Sequence, residues 1–379
     1  MSQTAGGCGR ATRRTAPAPH KRGPDPVSRC SKWARGLFHG LAARGRKCLG
    51  IRAAALPGWI AAALVAGCGG GTPADGPREL SFGHVGAPGS LFAITAEEFA
   101  RRVNDRLDGE AEVVVYGSSQ LGGDDVLLQK LKLGTVDLAL PSSIMSSRIA
   151  EFGLFEMPYL VRNRDHMARI EEEIVWPRLA PLAEEQGLRI LAVWENGYRH
   201  VTNNVRPVRV PEDLDGIKLR TPRGTWRVKL FQQFGANPVP MAFSDVLLAL
   251  RTGVVDGQEN PLAQISAANL DEVQTYLSLT QHVYTPAYVT VSAEHWEDLP
   301  EDLRAVVEEE ARGLRPFVYE TAKRLDRELL VELGRTNISV NWASRNAFDD
   351  VSQLLYEQFA TDVASGRELI DRALMLANN

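Results

Sequence analysis

The sequence predicts an α/β protein built as two lobes with a ligand cleft between them, on two observations. From Leu80 onward, short runs rich in β-branched residues alternate with amphipathic stretches, the pattern of strands alternating with helices. The alternation then runs through a second time, which implies two similar lobes. Such folds bind ligands at the carboxyl ends of their strands, so we expect the site in the cleft between the lobes.

The first lobe is predicted at residues 79–200. Its strands are expected at Leu80–His84, Glu112–Tyr116, Asp137–Leu140 and Arg189–Trp194. Its helices are expected at Ala93–Arg106, Asp124–Leu133 and Asp165–Gln186. This order of short β-rich runs and helical periods is typical of strand–helix–strand units.

The second lobe is predicted at residues 201–290. Its elements are expected in the order strand Lys218–Arg220, helix Thr225–Phe234, strand Asn237–Pro240, helix Ser244–Thr252 and strand Val255–Glu259. Residues 125–137 and 245–256 resemble each other, since in both an acidic residue begins a helix and a glycine ends it. An internal repeat and the ordinary pattern of any strand–helix–strand unit explain this equally well.

The C-terminal part, residues 291–379, is predicted to be mostly helical and to pack across both lobes. A helix from Glu301 to about Leu333 is long enough to cross them, with a kink at Pro316. A strand at Ser339–Trp342 and amphipathic helices at Arg345–Ala364 and Arg367–Ala377 are expected to follow.

Residues 1–67 have the features of an export leader. Basic residues precede the apolar, Ala-rich stretch Ala53–Ala66, and Cys68 follows the small residues that precede an acylated cysteine in lipoproteins. A transmembrane anchor is the alternative, but the stretch contains Pro57 and is short for a bilayer core of about 30 Å. We therefore expect Cys68 to be lipidated, residues 68–78 to form a flexible tether, and the protein to lie outside the cytoplasm, attached to a membrane.

Charge and cysteine usage exclude several classes. Residues 1–67 hold 12 of the 43 Lys and Arg residues and one of the 47 Asp and Glu residues, so the chain from Cys68 onward has a formal charge of −15. Such a surface disfavours nucleic acid as a partner. The four cysteines are Cys8, Cys30, Cys48 and Cys68. The folded part would therefore contain no disulfide, thiolate metal site or cysteine nucleophile.

Signatures of catalysis and of cofactor binding are missing from the sequence. It contains no GxSxG, P-loop, HExxH or GxGxxG pattern. Asp213-Leu-Asp215-Gly216 resembles the start of a calcium loop, but the remaining oxygen ligands are not at the required spacing, so a turn is the better interpretation. We expect neither an enzyme nor a metal or cofactor.

Several pieces of the chain carry a family resemblance. They are Gln120-Leu-Gly-Gly123, Leu133-Gly-Thr-Val-Asp137, Phe152-Gly-Leu-Phe-Glu-Met-Pro158, Trp194-Glu-Asn-Gly-Tyr-Arg199-His200, Gly216-Ile-Lys-Leu-Arg220-Thr-Pro222 and the run from Pro240 to Leu262. Together they resemble the solute-binding proteins of TRAP transporters, the DctP-like family, over nearly all of Leu80 to Leu333. The resemblance implies a two-lobed periplasmic-binding-protein fold. It also implies a protein that captures a small organic acid anion, a C4-dicarboxylate or a sugar acid such as a uronate, and delivers it to the small and large membrane subunits of a permease.

Three residues are the strongest candidates for anion binding. By the resemblance, Arg220 pairs with the ligand carboxylate, a role that suits the planar, always charged guanidinium fork. Arg199 is a second contact, with an ion pair to Glu195 or another carboxylate as the structural alternative. Asn260 donates to a carboxylate oxygen or accepts from a hydroxyl, with capping of the following helix as its alternative.

Weaker candidates complete the predicted site. Phe243 is expected to supply an apolar wall, or else to be a core residue. Asp124 is expected to accept from a ligand hydroxyl and His84 to face the cleft at the end of the first strand, although each is nearly as well explained as a structural residue. Where many relatives have small or aromatic residues, this chain has Arg223 and Arg227, which either add a second positive site for a dicarboxylate or face solvent.

Two rival functions stay open at the level of sequence. A ligand-binding sensor that presents an organic acid to a membrane receptor uses the same fold and the same site. A hydrolase or isomerase is the less favoured rival, because nothing in the sequence groups its Asp, Glu and His residues into a catalytic pattern.

Overall fold

A computed structural model of the protein describes residues 77–377. The predicted leader, the acylation site Cys68, all other cysteines and most of the predicted tether lie outside the described residues. Within the described part, no helix is both long enough and apolar enough to cross a membrane.

The described chain contains ten strands and twelve α-helices. The strands are β1 Arg78–Gly83, β2 Ala111–Tyr116, β3 Leu138–Ala139, β4 Leu188–Asn203, β5 Lys218–Thr221, β6 Asn237–Pro240, β7 Gly257–Pro261, β8 Tyr276–Leu279, β9 Tyr284–Ser292 and β10 Ser339–Trp342. The helices are α1 Leu91–Leu107, α2 Asp124–Lys132, α3 Arg164–Ile170, α4 Ala180–Glu185, α5 Thr225–Gln233, α6 Val246–Arg251, α7 Leu262–Ala267, α8 Ala293–Trp296, α9 Glu301–Gly313, α10 Arg315–Leu333, α11 Arg345–Asp362 and α12 Gly366–Leu376.

Strand β4 links the two lobes. Its first part pairs antiparallel with β9, from Leu188 opposite Ser292 to Tyr198 opposite Tyr284. Its last residues, Arg199–Asn203, pair with β7, and the final three also pair with β8. The strand order is therefore β2-β1-β3-β9-β4-β7-β5-β6, with β8 and β10 beside the end of β4.

Most predicted strands and helices occur where the sequence places them, but no strand is predicted where β9 occurs. Residues 284–290 are predicted only as part of the second lobe. In the structure they belong to β9, which pairs with β3 and β4 in the first-lobe group of strands. This buried strand returns the chain to the first lobe before the C-terminal helices begin, and every one of its residues is buried.

The predicted helix Asp165–Gln186 is interrupted. It consists of α3, a π-helical segment Glu171–Leu179 and α4, with Pro177 inside the π-helical segment. Proline lacks a backbone N–H and its ring clashes with the preceding turn, so a wider turn accommodates it without ending the helical path.

The long C-terminal helix is present in two parts. Helix α9 ends at Gly313 and α10 begins at Arg315, with Pro316 in its first turn, where the missing N–H has no intrahelical partner to lose. Helix α10 contacts α1 of the first lobe, β4, and α7 of the second lobe. It therefore crosses both lobes, and its apolar stripe, including Val318 and Leu325, is buried.

Candidate functional site

A cavity with a volume of about 240 Å³ is lined by residues of both lobes. The first lobe contributes the start of α2, the loop around Ser142 and Ser143, and Asn196 of β4. The second lobe contributes residues of β5, of β7, of α7 and of the turn after β6. Five of the six predicted contact residues line it, namely Arg220, Arg199, Asn260, Phe243 and Asp124.

Three adjacent strands bring the polar second-lobe residues together. Arg199 lies on β4, Asn260 on β7 and Arg220 on β5, and these strands are neighbours in the order β4-β7-β5. His200 is opposite Asn260, and Arg220 is opposite Gln258. The carboxyl ends of the parallel strands β5 and β7 thus meet at the cavity, as expected for a ligand site in an α/β fold.

Arg220 is a buried cation that lacks a carboxylate partner among residues 77–377. Its side chain is 3 % exposed, and its Nε and Nη2 both donate to the carbonyl of Met241, at 3.1 and 2.7 Å. Phe243 lies beside it, with the guanidinium carbon 5.9 Å from the ring centroid. Burial lowers the pKa of Arg220 to about 9. A bound anion would relieve the cost of burying this charge.

Arg199 lines the same cavity but is already paired. Its Nε donates to Oε2 of Glu259 at 2.5 Å, and its Nη2 donates to Oδ1 of Asn260 at 2.9 Å. Glu259, rather than Glu195, is therefore its ion-pair partner. Glu195 instead accepts two hydrogen bonds from Arg164.

Asn260 does not cap the helix that follows it. Helix α7 begins after Pro261 with no side-chain capping bond, while the Asn260 amide donates to Oε1 of Gln258 and accepts from Arg199. Its side chain is held beside the two arginines by these bonds, so its orientation in the cavity is fixed.

Of the two extra arginines, neither provides a free positive charge inside the cavity. Arg227 is 1 % exposed, donates to Glu156 and to Glu259, and is not among the lining residues. Arg223 lines the cavity but is exposed and pairs with Asp125 of the first lobe at 2.8 Å. Both arginines are therefore held in ion pairs, and neither of the two predicted roles, a second positive site or a purely solvent-facing residue, describes them.

Asp124 and His84 differ in placement. Asp124 begins α2, lines the cavity and is half-buried, and desolvation raises its pKa to about 7 despite the nearby Arg220. His84 ends up outside the cavity lining: its ring packs edge-on against Phe92, with 6.4 Å between centroids. Burial lowers the pKa of His84 to about 4, and neither ring nitrogen has a hydrogen-bond partner in the described chain.

Sequence reasoning missed three polar groups that line the cavity. Ser143 Oγ, Asn196 Oδ1 and Gln264 Oε1 are buried and have no hydrogen-bond partner in the part of the chain described. Asn196 had a signal, because it lies in the Glu-Asn-Gly-Tyr-Arg piece. It is the extra residue of a β-bulge, where the pairing of β4 with β9 shifts between Glu195 and Gly197, and bulges redirect side chains.

The family of bacterial extracellular solute-binding proteins, family 7 (DctP), matches residues 82–362. The chain belongs to this family. The family is named for the binding of solutes outside the cell, and this chain is an extracytoplasmic solute-binding protein of the TRAP type.

Individual relatives and solved structures are similar over most of their length. The 2,3-diketo-L-gulonate-binding periplasmic protein YiaO of Escherichia coli K12 is 29% identical over 296 residues, 77% of this chain and 90% of that protein. The sugar acid binding protein DctPAm of Advenella mimigardefordensis in complex with galactonate has a TM-score of 0.77 at 30% identity, covering 80% of this chain and 98% of that one. A Sulfurospirillum deleyianum protein with bound succinate has a TM-score of 0.76 at 30% identity, covering 79% and 99%.

Proposed function

We propose that the cleft of this DctP protein captures one small organic acid anion and that Arg220 is its main contact. The observation that carries the proposal is the burial of Arg220 without a carboxylate partner, in a cavity between the lobes. Its guanidinium still has N–H groups to offer a carboxylate in addition to those that bond Met241. Similar proteins with bound galactonate and succinate support an acid as the ligand.

Around Arg220, four other residues complete the proposed contacts. Asn260 and Arg199 orient polar groups toward the ligand, Phe243 forms an apolar wall beside Arg220, and Asp124 supplies a hydrogen-bonding group from the first lobe. Because the contacts come from both lobes, the ligand makes all of them only when the lobes are closed, so binding favours the closed state.

The closed, loaded protein would then be recognised by the small and large membrane subunits of a TRAP permease. A lipid on Cys68, followed by the tether, would keep it near that permease, which raises the effective concentration of one partner around the other. This part of the proposal is supported by the leader sequence and by the family.

Isothermal titration calorimetry with a panel of aldonates, uronates, dicarboxylates and keto acids tests the proposal. Arg220→Met should weaken binding of the preferred acid by about 100-fold or more, because two charge-assisted hydrogen bonds are lost. Arg220→Lys should recover part of the affinity, and Arg209→Met, an exposed arginine outside the cavity, should leave it unchanged. If no acid binds the unaltered protein, or if Arg220→Met binds as tightly, the proposal is wrong.

A further inference from the structure

The cavity has opposite polarity on its two walls. Every arginine that lines it lies on the second-lobe side: Arg199, Arg220 and Arg223. Both carboxylates that line it, Asp124 and Asp125, lie on the first-lobe side at the start of α2. Within the described residues, the first-lobe wall contains no lysine or arginine, and the second-lobe wall contains no aspartate or glutamate.

Only one of the three cations is available to an anion. Arg199 is paired with Glu259, and Arg223 is paired with Asp125 at the exposed edge of the cavity. Arg220 alone has no ion pair among residues 77–377. The arrangement can neutralise a single carboxylate, held at the second-lobe wall.

Beyond Arg220, the ligand would meet hydrogen-bond acceptors from both lobes. The unpartnered oxygens of Asn196 and Gln264 are amide acceptors, and the carboxylate of Asp124 also accepts. Ser143 Oγ can both donate and accept. A second ligand carboxylate would bring four lone-pair sites and a negative charge to these groups, whereas hydroxyl groups would donate to them.

From this asymmetry we propose that the ligand is a monocarboxylate whose other end carries several hydroxyl groups, and that dicarboxylates of the same length are rejected. The inference rests on the proposed function, since it concerns the acid held by Arg220. Arg220 binds the carboxylate, and Asp124, Asn196, Gln264 and Ser143 bind hydroxyl groups. The specificity against dicarboxylates comes from ionised Asp124, so it is expected above the Asp124 pKa of about 7, where two like charges would face each other in a desolvated cleft.

Matched ligand pairs test the proposal by calorimetry. D-galactonate and galactarate share a six-carbon chain and differ only at C6, and D-erythronate and meso-tartrate make the same comparison with four carbons. In the pair that fits the cavity, we expect the monocarboxylate to bind about 100-fold more tightly than the dicarboxylate, because a like-charge juxtaposition is costly. Butanoate and 4-aminobutyrate serve as ligands that lack hydroxyl groups.

The variant Asp124→Asn identifies the residue responsible. It keeps the side-chain shape and removes the charge, so the ratio of dicarboxylate affinity to monocarboxylate affinity should rise about tenfold. Glu112→Gln, an exposed charge on β2 outside the cavity, is the control for the overall field of the protein and should leave the ratio unchanged. Thermal denaturation of each variant establishes that it is folded.

The outcomes separate this inference from the function on which it rests. If galactarate or meso-tartrate binds as tightly as its hydroxylated monocarboxylate counterpart, and Arg220→Met abolishes that binding, the function stands and the specificity inference is wrong. Equal or tighter binding of butanoate or 4-aminobutyrate overturns the role of the hydroxyl groups. If no acid binds, the proposed function itself fails and this inference with it.

Discussion

Arg227 of the second lobe donates to Glu156 of the first, with 2.6 Å between Nε and Oε2, and its Nη1 donates to Glu259 at 2.6 Å. All three residues are at least 98 % buried. Glu259 also accepts from Arg199 and pairs with His282, so one carboxylate is shared by three side chains. Burial alone would raise its pKa, but the two guanidinium groups hold the pKa of Glu259 well below its ordinary value.

This network explains why Arg220 has no ion pair within residues 77–377, whereas Arg199 and Arg227 do. Glu156 and Glu259 compensate Arg227 and Arg199, and no further carboxylate reaches Arg220 within ion-pair distance in residues 77–377. The buried cluster therefore has an excess of one arginine, and that arginine lies in the cavity.

Removing one partner of the Arg227–Glu156 pair should strongly destabilise the folded protein. Breaking a buried pair leaves an uncompensated charge, so Arg227→Met and Glu156→Gln should each lower the free energy of unfolding by about 3–5 kcal/mol. The double variant Arg227→Met with Glu156→Gln should cost clearly less than the sum of the single changes. Urea denaturation measures all three, and additive losses would show that the two residues do not act as a pair.

Removal of Arg220, unlike removal of Arg227, should not destabilise the ligand-free protein. Its charge is buried and has no ion pair, so Arg220→Met should leave the melting temperature unchanged or raise it, while acid binding is lost. Thermal denaturation with and without ligand measures both effects. A large loss of stability in the ligand-free Arg220→Met protein would mean that the bonds to Met241 are structural and that the charge is compensated.

The pKa of Asp124 predicts a pH dependence. This pKa is raised from 3.8 to about 7, chiefly by desolvation; Arg220 and Arg199 oppose the rise, and Asp125 contributes to it. A raised folded-state pKa gives stability that is fully present below pH 3.8 and is lost as pH rises through about 7. The asparagine in Asp124→Asn does not titrate. The melting temperature of this variant minus that of the unaltered protein should therefore increase between about pH 4 and 7 and then level off. A difference that stays constant over this pH range would contradict this assignment.

Local patterns in the sequence were sufficient for most of the secondary structure. Alternating β-rich and helical periods located β1, β2, α1 and α5 within a few residues, because each buries apolar positions of its own. The partners of β9 were not predictable in this way. Every residue of β9 is buried, so its sequence has no exposed face to mark its neighbours, and nothing in it specifies whether it pairs in the first or the second lobe.

The candidate site was predictable only in part. Motif resemblance indicated five residues that the structure brings together, although their binding role stays a prediction. His84 illustrates the limit: a residue at the end of a strand was expected to face the cleft, but the structure packs its ring against Phe92. Gln264 illustrates the converse, since a glutamine in a short helix carries no local signal of the cavity that forms around it.

Gly197 should be needed for the shape of the site. Its φ is +121°, and a Cβ there would lie 3.3 Å from Cβ of Pro261, next to Asn260. Gly197→Ala should therefore lower the free energy of unfolding by about 1–3 kcal/mol and weaken acid binding by displacing Asn196. Gly253→Ala is the matched control, because Gly253 has φ +69° and open space around its Cβ position, so it should lose stability without losing affinity. Equal losses of affinity in both variants would contradict a specific role for Gly197.

The ion pair between Arg223 and Asp125 crosses the cleft, and it should act on the lifetime of the closed state rather than on folding. Arg223 is 54 % exposed and Asp125 23 %, so screening keeps the stability contribution of the pair within about 1 kcal/mol. Asp125 also accepts from Arg148 of its own lobe, which holds its carboxylate in place when the lobes separate.

Arg223→Ala should therefore raise the dissociation rate of the acid about two- to fivefold at low salt. The increase should vanish near 1 M salt, where the screening length is only about 3 Å. Stopped-flow measurement of ligand release at both salt concentrations checks this, with Arg209→Ala as the exposed control. A rate increase that persists at high salt would mean that Arg223 contacts the ligand itself, which the single-carboxylate account of the cavity does not allow.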